Sequence, residues 1–321
     1  MYGGCLAFTA HLLHTLNRKE VFRIAKKRFE RRKRNFGYEI RYQNVTLEYF
    51  DSVKNLFITD MFQHVECLRK LKRKEKEEVS IVIHDPGEIS KLNEPYLKHW
   101  NIITIRKSMQ QFLRDRYGIE SKFIYHPFYP YPIQQGDNNK EEKKKKTQAV
   151  SISRIDFNKN IEIILDANKK VRNPIKIYGW ANSKYVSQQL DAGAFNRYYQ
   201  GKYVKSFNAT SEILRKAKFM VDLSFLPNDG GGTQYTFLDS VYHNCAIILN
   251  RQWIENVDPK YRDFKDGENC YAVSNVEELK ELLNNAENID TSKIVQNARK
   301  LLDRHVNAVD WNKEVMSLQC K

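Results

Sequence analysis

No apolar run approaches the length of about 18 residues that a membrane-spanning helix requires. The five cysteines (Cys5, Cys67, Cys245, Cys270 and Cys320) are scattered, odd in number and form no C-x-x-C pair. That argues against a disulfide framework and a zinc site, and a reducing cytosol is the simplest setting. No sequence repeat recurs at a fixed period; only the architecture repeats. The opening residues MYGGCLAFTAHLLHTL lack the basic start and the small-residue cleavage site of a secretory signal, and they read as an amphipathic helix.

What is present is globular. The chain has 321 residues, enough for two domains, with 41% hydrophobic and 29% charged residues. Lys and Arg number 54 against 39 Asp and Glu, a formal net charge of +15. This excess reads either as a solvated basic surface or as a face for an anionic partner: DNA, RNA or a membrane.

Short β-rich runs alternate with amphipathic stretches. Strands are expected at 21–25, 38–45, 55–59, 79–85, 102–105 and 122–126, with helices at 61–74 and 107–118 between them. This rhythm means βαβ units and a parallel sheet. The polar stretch QQGDNNKEEKKKKTQ (134–148) has no apolar anchor and reads as a linker or boundary loop. A second series follows, with strands at 148–155, 174–180, 197–203, 219–225, 245–250 and 270–273 and helices at 160–171, 211–217, 234–244 and 276–286. The expected organisation is a Rossmann-like domain over 1–135, joined by a C-terminal helix at 304–321. A linker at 136–147 leads to a second Rossmann-like domain over 148–303. Ligands in such folds sit beyond the carboxyl ends of the strands, here in a cleft between two facing domains.

The sharpest local signal is LPNDGGGTQYTFLDSV (226–241). A strand end is followed by Gly230, Gly231 and Gly232, then Thr233 and Gln234, then a helix. Glycines let backbone approach a ligand, and a helix start presents N–H groups suited to a diphosphate without a metal. Asp239, one to two turns into that helix, can accept from a ribose diol. Arg154 ends the strand VSISRI and Lys159 follows five residues later, two cations suited to a diphosphate leaving group. Gly201, Lys202, Tyr203 and Val204 form a loop whose backbone can hold a nucleobase edge. In the first half, VSIVIHDPGE places His84 and Asp85 at a strand end. A carboxylate there can act as general base on a hydroxyl, with His84 bonding the transferred group or sharing the task. His11 and His14, spaced i, i+3, could pair on a metal but read better as surface or cleft histidines.

The order Ser-Arg…Lys, then I-x-G (Gly179), then a glycine-containing strand end, then GGT and an acidic residue in a helix resembles the donor half of GT-B glycosyltransferases. The closing segment FKDGENCYAVSNVEELKELL is similar too, so the resemblance covers nearly all of 148–303. The family often carries two glutamates eight residues apart. Here only the second acidic position is present, as Asp239, while position 231 is Gly231, which leaves the diphosphate and sugar to backbone amides. Gly3 and Gly4 resemble the family's loop before the first helix, which faces the donor phosphates. The family opens with a strand ahead of that loop, and this chain starts at the loop itself. The His-Asp strand end and GKYV resemble the phage DNA glucosyltransferases that modify hydroxymethylcytosine. No D-x-D occurs, so the metal signature of the other main glycosyltransferase fold is absent.

The resemblance implies an α/β GT-B enzyme, a hexosyl- or pentosyltransferase moving a sugar from a UDP-type donor to a hydroxyl, with no metal or other cofactor. Residues 18–34 hold ten Lys/Arg and two Glu. In it, Lys26, Lys27, Arg28, Arg31, Arg32, Lys33 and Arg34 form a track for nucleic-acid phosphates, with a second cluster, RKLKRK, at 69–74. Phe29, Phe36 and Tyr38 could stack on an extruded base. The expected acceptor is a modified base in double-stranded phage or viral DNA, acted on in the (host) cytoplasm. Two alternatives stay open: a lipid carrier or a cell-surface or capsid glycan reached at an anionic membrane, and a non-catalytic nucleic-acid-binding protein on a decayed transferase scaffold.

Overall fold

A computed structural model describes residues 3–18, 20–24, 34–36, 38, 40–60, 65–72, 74–89, 94–133, 146, 148–202, 205–306 and 308–317. The chain divides into two compact units, Met1–Tyr129 with Arg304–Lys321, and Pro130–Asp303.

The first unit opens with the helix Gly3–Thr15, which buries Phe8, Ala10 and Leu12. Strands β1 (Glu20–Ile24), β2 (Arg34–Phe36) and β3 (Ile40–Val45) form a small sheet in the order β1-β3-β2. β1 and β3 run parallel, and β2 pairs antiparallel with β3. A separate, all-parallel sheet holds β4 (Leu56–Ile58), β5 (Val79–Ile83), β6 (Asn101–Thr104) and β7 (Lys122–Phe123) in sequence order. The expected single sheet is therefore two among the described residues. Every residue of β5 is buried, which is why it reads as an unbroken apolar run. Leu68, Trp100, Met109 and Leu113 pack against this sheet. The helix Ala308–Ser317 buries Trp311, whose ring meets Phe8 edge-on at 5.3 Å and whose Nε1 donates to the Tyr125 carbonyl at 2.9 Å.

The second unit is one parallel sheet of β8 (Gln148–Ile152), β9 (Lys176–Tyr178), β10 (Ala217–Asp222), β11 (Ala246–Asn250) and β12 (Tyr271–Val273). Its order is β12-β11-β10-β8-β9. The chain steps from β8 to one side, then returns to place β10 on the other. The crevice where ligands collect in such sheets therefore lies at the carboxyl ends of β8 and β10. Helix caps follow the sequence: Asn275 accepts from the Glu278 amide to start Val276–Asn284. One expected strand, 197–203, does not form among the described residues. Asp191 caps a helix, Ala192–Tyr198, which takes Tyr198 of 197–203 into its last turn. Only Tyr199 bridges to Ile177. No helix of the described residues is long and apolar enough to cross a membrane.

Candidate functional site

At the crevice of the second unit, the loops after β8 and β10 are tied together. The Phe225 amide donates to the Asn158 carbonyl at 3.0 Å, and Asn160 Nδ2 donates to the Leu223 carbonyl at 2.8 Å. Lys159 is only 8% exposed, and its Nζ donates to Ser224 Oγ at 2.5 Å. The Ser224 hydroxyl donates in turn to Asp222. Lys159 thus places a fixed positive charge under the crevice. Arg154 is exposed at its mouth in a long ion pair with Asp156, 3.8 Å, a contact weak enough to yield to an anion.

Gly179, at the end of β9, is required by backbone packing. A Cβ there would lie 1.7 Å from the Ser153 carbonyl oxygen, and φ is +148°. We expect Gly179→Ala to destabilise the protein by about 3 kcal/mol or more, read as a lowered urea midpoint with an unchanged slope. A variant of wild-type stability would mean that β8 and β9 do not approach this closely.

The glycine turn behaves in a way the sequence did not anticipate. A Cβ on Gly230 would sit 2.3 Å from the Trp253 carbonyl oxygen, and Gly231 adopts φ +66°. The Gly230 amide donates to Asp229 Oδ1 at 2.9 Å, and the Gly231 amide donates to the Trp253 carbonyl at 2.6 Å. The Asp263 amide donates to the Gly231 carbonyl, and Trp253 Nε1 to that of Gly232. Two of the three glycine amides expected to hold a diphosphate are therefore spent within the protein, that of Gly231 on the helix Arg251–Glu255 and that of Gly230 on the Asp229 side chain. Gly232 and Gln234, leading into the helix Tyr235–Tyr242, stand at the helix start where an anion would meet backbone amides.

Asp239 lies in that helix and is 5% exposed. Its Oδ1 accepts from the Tyr131 hydroxyl at 2.9 Å. Tyr131 stacks on Phe207 at 4.3 Å and is fixed by Tyr242, whose hydroxyl donates to its carbonyl. Burial pushes the Asp239 carboxyl up to about 7, against the opposing effects of the Tyr131 hydrogen bond and the Lys205 charge. Tyr131, Phe207 and Lys205 had not been anticipated, and the only signal for Tyr131 is the aromatic-proline run PFYPYP (127–132). Lys202 is exposed, whereas Tyr203 and Val204 lie outside the described residues.

In the first unit, β5 delivers His84 and Asp85. Asp85 caps the short turn Pro86–Glu88, its Oδ1 accepting from the Gly87 amide at 2.8 Å. His84 is buried, and its Nε2 lies 2.8 Å from the Thr59 carbonyl. A carbonyl only accepts, so Nε2 carries the proton and Nδ1 the lone pair. Burial pulls the imidazole down to about 4, so it is neutral at neutral pH. The Arg106 guanidinium donates to the His84 carbonyl. Glu88 was not anticipated. Its carboxylate turns back to accept from the His84 amide at 2.9 Å and from the Cys5 thiol at 3.6 Å. Burial, together with the charges of Asp85 and Asp60, pushes Glu88 up to about 8.

Gly3 and Gly4 are not a loop before the first helix but its first turn. His11 is buried rather than at the surface, accepting from the Tyr129 amide at 3.0 Å, while His14 bonds the Tyr38 carbonyl. Lys26, Lys27, Arg28, Arg31, Arg32 and Lys33 lie outside the described residues, as does the side chain of Arg34. In the second basic cluster, Lys74 is committed internally, donating to the carbonyls of Asp51 and Val53.

No protein-family model matches the chain, and no curated protein matches it by sequence. Solved structures do. The Anabaena protein Alr3699/HepE, solved with UDP-glucose, superposes with a TM-score of 0.72 at 13% identity over 100% of this chain and 97% of that one. An alpha-glucosyltransferase solved with UDP and a 13-mer DNA containing an HMU base gives 0.67 at 13% identity, covering 99% and 96%. A glycosyltransferase from Rickettsia africae gives 0.61 at 10% identity, covering 100% and 94%. The chain has the α/β fold of these glycosyltransferases.

Proposed function

We propose that this protein is a glycosyltransferase taking its sugar from a UDP-type donor, and that its acceptor is a modified base in DNA. The observation that carries the donor reading is the crevice at β8 and β10. There Arg154 stands at the mouth, Lys159 is locked beneath it by Ser224, and the helix start at Gly232–Gln234 belongs to the same sheet edge. In this reading Arg154 engages the diphosphate, Lys159 lowers the potential of the crevice for anions, and Asp239 meets the ribose. These charges stabilise the UDP leaving group as the glycosidic bond to it breaks. Asp85 accepts the acceptor hydroxyl proton. His84, neutral and held on the Thr59 carbonyl, orients that strand end rather than carrying a proton.

Support for UDP comes from the neighbours that hold UDP or UDP-glucose, and support for DNA from the neighbour solved with a 13-mer DNA containing an HMU base, together with the basic run at 18–34. A base must leave the stack to be glycosylated, and a basic track supplies the phosphate grip that offsets unstacking. Arg154→Ala should weaken UDP about tenfold or more by calorimetry, the scale of one charge-assisted hydrogen bond. The acceptor test is incubation of labelled UDP-glucose with hydroxymethylated DNA, unmodified DNA and lipid extract. Label entering only the hydroxymethylated duplex supports the reading. Label entering lipid or glycan instead overturns the acceptor but keeps the enzyme, and no UDP binding at all overturns both.

A further inference from the structure

We propose that Cys5, His84 and Glu88 form a binding site for a thiophilic divalent cation, with zinc the best fit. The Cys5 sulfur, a ring nitrogen of His84 and a Glu88 carboxylate oxygen all lie within 4.8 Å of one another. In a tetrahedral zinc site with these donors, ligand atoms stand about 3.5 Å apart. The Cys5–Glu88 pair, at 3.6 Å, already has that spacing. Closing the rest takes a movement of about 1 Å, within the reach of side-chain torsions.

Three features separate this cluster from a chance meeting of polar groups. The first is the donor set. Thiol, imidazole and carboxylate together match zinc, whereas magnesium or calcium would call for oxygen alone. The second is the outer shell. Metal-bound histidines nearly always give their other ring N–H to a carbonyl or carboxylate. Here Nε2–H is committed to the Thr59 carbonyl, which leaves the lone pair on Nδ1. Glu88 is oriented likewise, by the His84 amide. The third is charge. Asp60 and Asp85 act electrostatically on the Cys5–Glu88 pair and favour a cation, while Arg106, bound to the His84 carbonyl, opposes it. With the Cys5 thiolate and Glu88 carboxylate bound, a divalent ion is neutralised at the site. Binding forms bonds from the metal to sulfur, oxygen and nitrogen, the protons of the Cys5 thiol and the Glu88 carboxyl pass to solvent, and water completes the coordination. Cys5, Cys245 and Cys270 are all buried free cysteines, but only Cys5 meets a histidine and a carboxylate among the described residues.

The site stands apart from the transferase reading, because metal binding is measured without any sugar transfer. The test is titration of the full-length, metal-stripped protein with cobalt(II), followed by absorbance. The expected result is one tight equivalent, with the intense visible bands of tetrahedral cobalt and a sulfur-to-metal charge-transfer band, both displaced by zinc. Cys5→Ser should abolish the charge-transfer band. Glu88→Gln should keep that band and weaken affinity at least about tenfold. Thermal melts in chelator establish that each variant is folded, and the two substitutions serve as independent arms should one fail to fold. A wild-type spectrum no different from the free ion, or a sulfur band at full strength in Cys5→Ser, would overturn the site.

Discussion

Asp239→Asn is expected to make the protein more stable and its donor binding worse. The carboxyl is held at about 7, above its ordinary 3.8, chiefly by burial. An acid raised in the folded state binds its proton more tightly there than in the unfolded chain. Stability is therefore highest below the unfolded value and is lost as pH climbs between the two. At about pH 8 the folded protein carries the whole cost of a buried carboxylate, with a ceiling of about 4 kcal/mol for a shift of this size. Asparagine keeps an oxygen to accept from Tyr131 and removes the charge. Urea melts should show Asp239→Asn gaining stability at about pH 8 and gaining much less at about pH 4. Calorimetry should show weaker UDP by about tenfold, because an amide is a poorer acceptor for a ribose diol than a carboxylate. The two arms are separable. An equal gain at both pH values would remove the burial account, and unchanged affinity would remove Asp239 from the donor site.

The second large effect concerns Asp85. Alanine there would also delete the cap on the Gly87 amide, mixing a folding cost with a chemical one. Asparagine keeps the cap and loses the base. We expect Asp85→Asn to lower kcat by about a hundredfold or more, the scale of general base catalysis, with UDP affinity and thermal midpoint close to wild type. Full turnover by this variant would move the base elsewhere, and Glu88, three residues on and unforeseen from sequence, would be the next carboxylate to test.

The roles assigned to Gly230–Gly232 illustrate how a motif can be located correctly and explained incompletely. Three glycines between a strand and a helix do mark a special backbone, but Gly230 and Gly231 are needed first for the approach to Trp253, and their amides are taken by the Asp229 side chain and the Trp253 carbonyl. The helix start beyond them is where a phosphate would meet backbone amides. Lys159 follows the same pattern: its position after β8 was legible, and its burial against Ser224 was not.

Sequence alone determined the alternating α/β character and most strands of the parallel sheets. Apolar runs such as 79–83 and 246–250 act through neighbours a few residues away, and the apolar pattern registers them. It misread 197–203 because the Asp191 cap, a stronger local signal upstream, outcompeted β-propensity there. Only the tertiary structure decided the partnerships that set the chemistry. Tyr131 reaches Asp239 across 108 residues, and Cys5 reaches Glu88 across 83. Burial, and with it the protonation of both carboxyls, depends on which elements close over them. That is a property of packing between distant segments, and no local pattern in the chain encodes it.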